Sequence, residues 1–232
     1  MLFVRRTIPP FIVLFALAAA VPANSTPRYQ VTEIGVDNAE KLEDPGCPQK
    51  CQAIGAVTGY QSRIGSKRNP YTVKRNGRIT AFTIALGDPT RKQTTFFTRL
   101  YGAPPQARLS ILKIPKKGRD LRLTAQSEVF NLEPYLGKTP TFALERSLDV
   151  TPKSIVALTV PTWAPAFSVD LGPGMRWRSS RTRCNNVEEA AAQQTINSVR
   201  KYRCGYKTAR LLYSATFVRD PKPAEDERDN DN

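Results

Sequence analysis

Alternation with a period of two, cut at short intervals by turn residues, constrains this chain more than any other feature. Ile79, Ala81, Thr83 and Ala85 alternate with Thr80, Phe82, Ile84 and Leu86. In Ala107–Ile114, Leu109, Ile111 and Lys113 share one face, and Leu112 and Ile114 the other. A strand sends successive side chains to opposite faces, so this pattern reads as strand wherever it recurs. The same reading covers Thr94–Tyr101, Leu121–Phe130, Phe142–Leu148, Ser154–Val160, Phe167–Leu171, Met175–Ser180 and a long final Lys207–Val218. Asn76-Gly77, Gly87-Asp88-Pro89, Gly102-Ala103-Pro104-Pro105, Lys117-Gly118 and Gly172-Pro173-Gly174 supply the turns. Nine or ten short strands without crossover helices predict an all-β fold. The expected form is an antiparallel two-sheet sandwich of jelly-roll type, with a barrel as the alternative.

One segment departs from that pattern. Asn186-Val187-Glu188-Glu189 has the form of an N-cap with Glu at N3, and the following AAAQQTINSVRK is rich in helix formers and ends in cations. This predicts one short helix, lying in an insert between Cys184 and Cys204. Four cysteines allow three pairings. Cys47 and Cys51 are close in GCPQKC, and Cys184 and Cys204 bracket the insert, which favours Cys47–Cys51 and Cys184–Cys204. The rival is a four-cysteine zinc site, but the second pair has the wrong spacing for a zinc knuckle.

Residues 1–23 read as a signal peptide. Arg5 and Arg6 precede an apolar run, Phe11–Val21, that is too short to cross a bilayer as a helix. Val21-Pro22-Ala23 offers small residues for cleavage after Ala23, with cleavage after Ala20 or an uncleaved anchor as alternatives. Residues 24–46 read as an N-terminal extension, 47–218 as a single sandwich domain, and 219–232 as a disordered acidic tail without large apolar residues. No later stretch is long and apolar enough for a membrane span, so the mature chain is expected outside the cell or at the cell wall, without a transmembrane segment. Paired cysteines suit that compartment.

The chain carries 35 Lys and Arg against 20 Asp and Glu, a formal net charge of +15, and no His. The missing imidazole excludes Ser-His-Asp and Cys-His nucleophilic sites and His-ligated zinc. No cofactor-binding or metal motif is present. The bases come in runs: Arg63, Lys67, Arg68, Lys74, Arg75 and Arg78, then Arg108–Arg122, then Arg176, Arg178, Arg181 and Arg183, then Arg200–Arg210. Such a surface attracts polyanions, or it serves solubility alone. The possible ligand-binding residues are Trp163, Arg176, Arg178, Arg181, Arg183, Tyr202 and Tyr206. Trp163, between two prolines, would stack on a sugar if exposed and would fill the core edge if not. Trp177 alternates with Arg176 and Arg178 and is expected in the core. Tyr202 and Tyr206 flank Cys204, where they would line a surface or pack on the disulfide. A glycosidase would need two converging carboxylates. The body offers Asp88, Asp120, Glu128, Glu133, Glu145, Asp149, Asp170, Glu188 and Glu189, none marked as a pair by spacing. The acidic stretch Asp37–Asp44 lacks the glycine and oxygen spacing of a calcium loop.

The segments GCPQKCQAIGAVTGYQ, RITAFTIALG, ARLSILK, SIVALTVPTWAPAF and YRCGYKTARLLYSATFV resemble a group of uncharacterised secreted actinobacterial proteins, over roughly Gly46–Val218. The resemblance implies a signal peptide, a jelly-roll-like β-sandwich domain and paired cysteines, and it carries no catalytic residues. The expected function is a non-catalytic binding module for a polyanion or cell-surface glycan. The alternatives are a structural or interaction protein of the cell envelope and a carboxylate-based glycoside hydrolase or lyase.

Overall fold

The computed structural model describes residues 29–36, 42–115 and 120–221. The expected leader over 1–23 and most of the tail 219–232 lie outside them. In chain order the elements begin with β1 (Gln30–Ile34), β2 (Ile54–Ile64), β3 (Lys67–Arg68), β4 (Gly77–Ile84), helix α1 (Arg91–Tyr101), β5 (Gln106–Lys113), β6 (Leu121–Gln126) and β7 (Phe130–Asn131). They continue with β8 (Thr141–Val150), β9 (Ile155–Ala164), β10 (Phe167–Ser168), β11 (Arg176–Ser179), β12 (Val199–Arg200), β13 (Cys204–Lys207), β14 (Arg210–Leu211) and β15 (Tyr213–Arg219).

The fold is an all-β antiparallel sandwich. One sheet has the order β1-β15-β4-β8, and the other runs β12-β6-β5-β9-β2-β11-β13. β10 and β14 form a small third ladder. The main core lies between the two large sheets. Ile79, Phe82 and Ile84 of β4 and Ala215 and Phe217 of β15 meet Val57 of β2, Leu109 and Ile111 of β5, and Val156, Leu158 and Val160 of β9. Strict alternation would put Ile79 on the opposite face from Phe82 and Ile84. A bulge between Ile79 and Ala81 against β8 shifts the register, and all three become buried. β1 pairs with β15 from Gln30–Arg219 to Ile34–Ala215, so part of the expected N-terminal extension is a strand of the sandwich.

Two sequence expectations fail. Thr94–Tyr101 is helix, not strand, despite its β-branched and aromatic residues. Thr90 caps it, with the Gln93 N–H donating to Thr90 Oγ1 at 3.4 Å and the Thr90 N–H to Gln93 Oε1 at 2.8 Å. Its Phe97 packs on Trp163, ring centroids 5.3 Å apart, and the helix stops at Gly102, where φ is +90°. The predicted helix in the insert does not form, and α1 is the one α-helix among the described residues. The insert instead lies in extended and turn conformations across the outer face of the larger sheet.

β9 explains that outcome. Its residues are buried on both faces, so its outer side needs cover. A hydroxyl layer there, Thr58, Ser110 and Thr159, is linked at 2.8 and 2.6 Å. Ala191 N–H donates to Ala56 O, and Gln193 N–H to Thr58 Oγ1 at 2.9 Å. The Gln193 side chain donates to Ser198 O at 2.8 Å and accepts from the Tyr202 hydroxyl at 2.7 Å. A helix would direct these backbone groups at one another and leave the layer unpaired, so tertiary hydrogen bonds override propensity. Both expected disulfides, Cys47–Cys51 and Cys184–Cys204, are formed, which removes the zinc alternative. The second staples the insert over the sheet.

Candidate functional site

A change of partner along β9 creates the site. β2 pairs with β9 from Ile54–Ala164 to Gly59–Leu158 and then runs on beside β11. Tyr71–Val73 takes up the vacated slot. Val156 N–H donates to Tyr71 O at 2.9 Å, Val73 N–H to Ser154 O at 2.8 Å, and Lys153 N–H to Val73 O at 2.9 Å. Tyr71 is fully buried, stacks on Tyr213 at 4.4 Å and donates its hydroxyl to Tyr213 O. Burial pushes that hydroxyl's pKa well above the ordinary tyrosine value. Gly35, at φ +99°, passes so close that a Cβ there would meet the Tyr71 ring at 2.3 Å. The buried Arg210 donates to Gly35 O at 3.0 Å and to Glu43, tying the N-terminal segment to β14. A cleft opens on each side of the loop before Tyr71, with Asn69 and Thr72 lining both.

The first cleft, of about 560 Å³, lies between β1 and the 64–75 segment. Among the described residues its charged lining is Lys67, Arg68, Lys74, Arg75 and Arg219 with one acid, Glu33. Both Glu33 oxygens are engaged, accepting from Ser214 Oγ at 2.9 Å and Thr216 Oγ1 at 2.6 Å. The cleft is therefore strongly electropositive. The second, of about 590 Å³, has Tyr60, Tyr202, Leu121 and Ile155 in its floor, and Lys153, Arg178, Arg203 and Asp120 among its lining. The Tyr60 and Tyr202 rings lie 5.8 Å apart.

The sequence-predicted residues scatter. Arg178 and Tyr202 meet in the second cleft, with Arg178 Nη1 donating to Tyr202 O at 3.0 Å. Trp163 is fully buried beneath Phe97 and cannot meet a sugar. Arg181 is buried, not displayed, and its Nη2 donates to Gly55 O and Val187 O, so it braces the insert. Arg183 is exposed on the insert. Its backbone N–H and that of Thr182 donate to Glu189. Burial opposes ionisation of that carboxyl, but these donors outweigh it and hold its pKa below the ordinary value. Arg176 lies half-buried on β11 opposite Arg63 and Lys207. Tyr206 stacks on the buried Trp177 at 4.4 Å and donates to Cys184 O at 2.8 Å, a packing role. Neither Arg176 nor Tyr206 lines either cleft.

Sequence reasoning missed Tyr60 and Lys153. Tyr60 sits in β2, which carries too many buried polar and small residues to alternate cleanly. Lys153 faces the cleft from a left-handed turn at φ +72°, which has no sequence signature. The first cleft was legible only as the acid-free run from Arg63 to Arg78. Four of the nine body carboxylates have structural partners: Asp149 pairs with Arg78, Asp170 with Lys50, Glu128 accepts from Glu145 N–H, and Glu189 from Thr182 and Arg183 N–H. Among the described residues, no three His, Cys, Asp or Glu side chains gather as a metal set, and no helix is long and apolar enough to cross a membrane. No family model, no curated protein and no solved structure matches the chain.

Proposed function

We propose that this chain is an exported, non-catalytic binding module of the jelly-roll type for a polyanionic or saccharide surface, akin to the secreted actinobacterial proteins it resembles. The observation that carries the proposal is the first cleft, where Arg68, Lys74, Arg75 and Arg219 face a space whose one acid among the described residues, Glu33, is already hydrogen-bonded. Cations gathered in one groove release condensed counterions when a polyanion enters, which gives affinity without any chemical step. The strand orders β1-β15-β4-β8 and β6-β5-β9-β2 support the jelly-roll reading. The two disulfides and the leader-like sequence at 1–23 support export.

Binding to heparin, polyphosphate and DNA, titrated with salt, tests the proposal. Log affinity should fall linearly with log salt, with a slope of about −4 for duplex DNA if four to five cations engage phosphates. Lys74→Glu with Arg75→Glu should weaken all three interactions at least tenfold. Salt-indifferent affinities, or no binding at about 50 mM salt, would remove the reading.

A further inference from the structure

We infer that the two clefts together form a bipartite site for one acidic polysaccharide strand, in which the second cleft seats a sugar ring and its acidic group, and the first holds the anions that follow. This rests on the polyanion reading above and adds the class of polymer.

The clefts share Asn69 and Thr72, so a ligand spanning both crosses the loop that bears them. Their chemistry differs. The first is a row of cations suited to any anion. The second combines an apolar floor with Lys153, Arg178 and Arg203, with Asn69 and Thr72, which both donate and accept, and with Asp120, which accepts. A uronate or sulfated pyranose presents the matching set, namely an apolar C–H face, an acidic substituent and hydroxyls that need acceptors as well as donors.

Asp120 separates this ligand from nucleic acid or polyphosphate. A carboxylate can accept from a sugar hydroxyl, whereas a phosphate backbone offers it only like charge. The rings give a second discriminator. Single-stranded nucleic acid binds by stacking its bases on exposed aromatic faces. Tyr60 and Tyr202 are only 9% and 6% exposed, so they supply a floor and no stacking platform. The Tyr202 hydroxyl is also committed to Gln193, which keeps its ring in place.

The test uses the full chain with four probes: polygalacturonate, its carboxyl-reduced neutral form, polyphosphate and single-stranded DNA. The variants are Lys153→Glu with Arg203→Glu, at exposed positions, and Asp120→Ala, at a half-buried one, with near-UV circular dichroism confirming the fold. Polygalacturonate should bind at least tenfold tighter than polyphosphate of equal charge, and the neutral polymer at least tenfold more weakly than the acidic one. Lys153→Glu with Arg203→Glu should lower polygalacturonate affinity tenfold or more and change polyphosphate affinity less than threefold. Asp120→Ala should act in opposite directions, weakening polygalacturonate binding about threefold and strengthening that of polyphosphate and DNA. If Asp120→Ala strengthens all three, or if polyphosphate and polygalacturonate bind equally, the bipartite glycan site is overturned while the polyanion function stands. If no acidic polymer binds, both fall.

Discussion

Replacing Gln193 with methionine tests whether the insert is an integral cover of the larger sheet. Gln193 is 1% exposed, and methionine nearly conserves its volume, so the change removes hydrogen bonds without opening a large cavity. Ser198 O keeps a partner, because Leu123 N–H also donates to it at 3.0 Å. The Tyr202 hydroxyl loses its bond to Gln193 Oε1, and its ring is buried. Leaving a buried hydroxyl unpaired costs about 2 kcal/mol. At about 2–4 °C per kcal/mol for a domain of this size, Gln193→Met should lower Tm by about 4–8 °C. Tyr202→Phe alone should cost about 1–2 kcal/mol by stranding Gln193 Oε1. The double variant removes both partners and should cost about 1 kcal/mol less than the sum. Calorimetry on the four proteins measures the cycle. A Tm within about 1 °C of the parent for Gln193→Met, or strict additivity, would refute the packed insert.

Trp163 and the Cys184–Cys204 staple make two further expectations. Trp163→Ala should cost about 3–5 kcal/mol, read from urea unfolding, because it empties the space beneath Phe97 and α1. In the parent, Trp163 emission should be blue-shifted and poorly quenched by acrylamide, and strong quenching would place it on the surface. Cys184→Ser with Cys204→Ser should cost about 3 kcal/mol by freeing the closed loop in the unfolded chain, against about 2 kcal/mol for the short Cys47–Cys51 loop. Equal midpoints for both serine pairs would contradict that ranking.

Much of the fold is legible in the sequence, because a half-buried strand must alternate and a turn must break the alternation. That logic identifies β4, β5, β6, β8, β9, β11 and β15, and it places Trp177 inside by parity with Arg176 and Arg178. It fails at β2, where Thr58 and Gln61 are buried polar residues satisfied by partners about a hundred or more positions away. A pattern of hydrophobicity cannot register such partners. It also fails at α1. The Thr90–Gln93 capping box opens a helix there, whereas the β-branched and aromatic residues that follow it have the composition of a strand.

Cysteine spacing, charge runs and period therefore point to the disulfide framework, the all-β antiparallel class and the basic character, since each depends on neighbours along the chain. Tertiary structure alone decides that AAAQQ is not a helix, because the hydroxyls it satisfies belong to Thr58 and its neighbours on the sheet. It alone decides that Trp163 and Arg181 are interior, and that Tyr60, Lys153, Arg178 and Tyr202 share a cleft. The clefts exist because β2 parts from β9 after Gly59 and Tyr71–Val73 fills the gap. That exchange of partners between segments distant in sequence leaves no local trace in either of them.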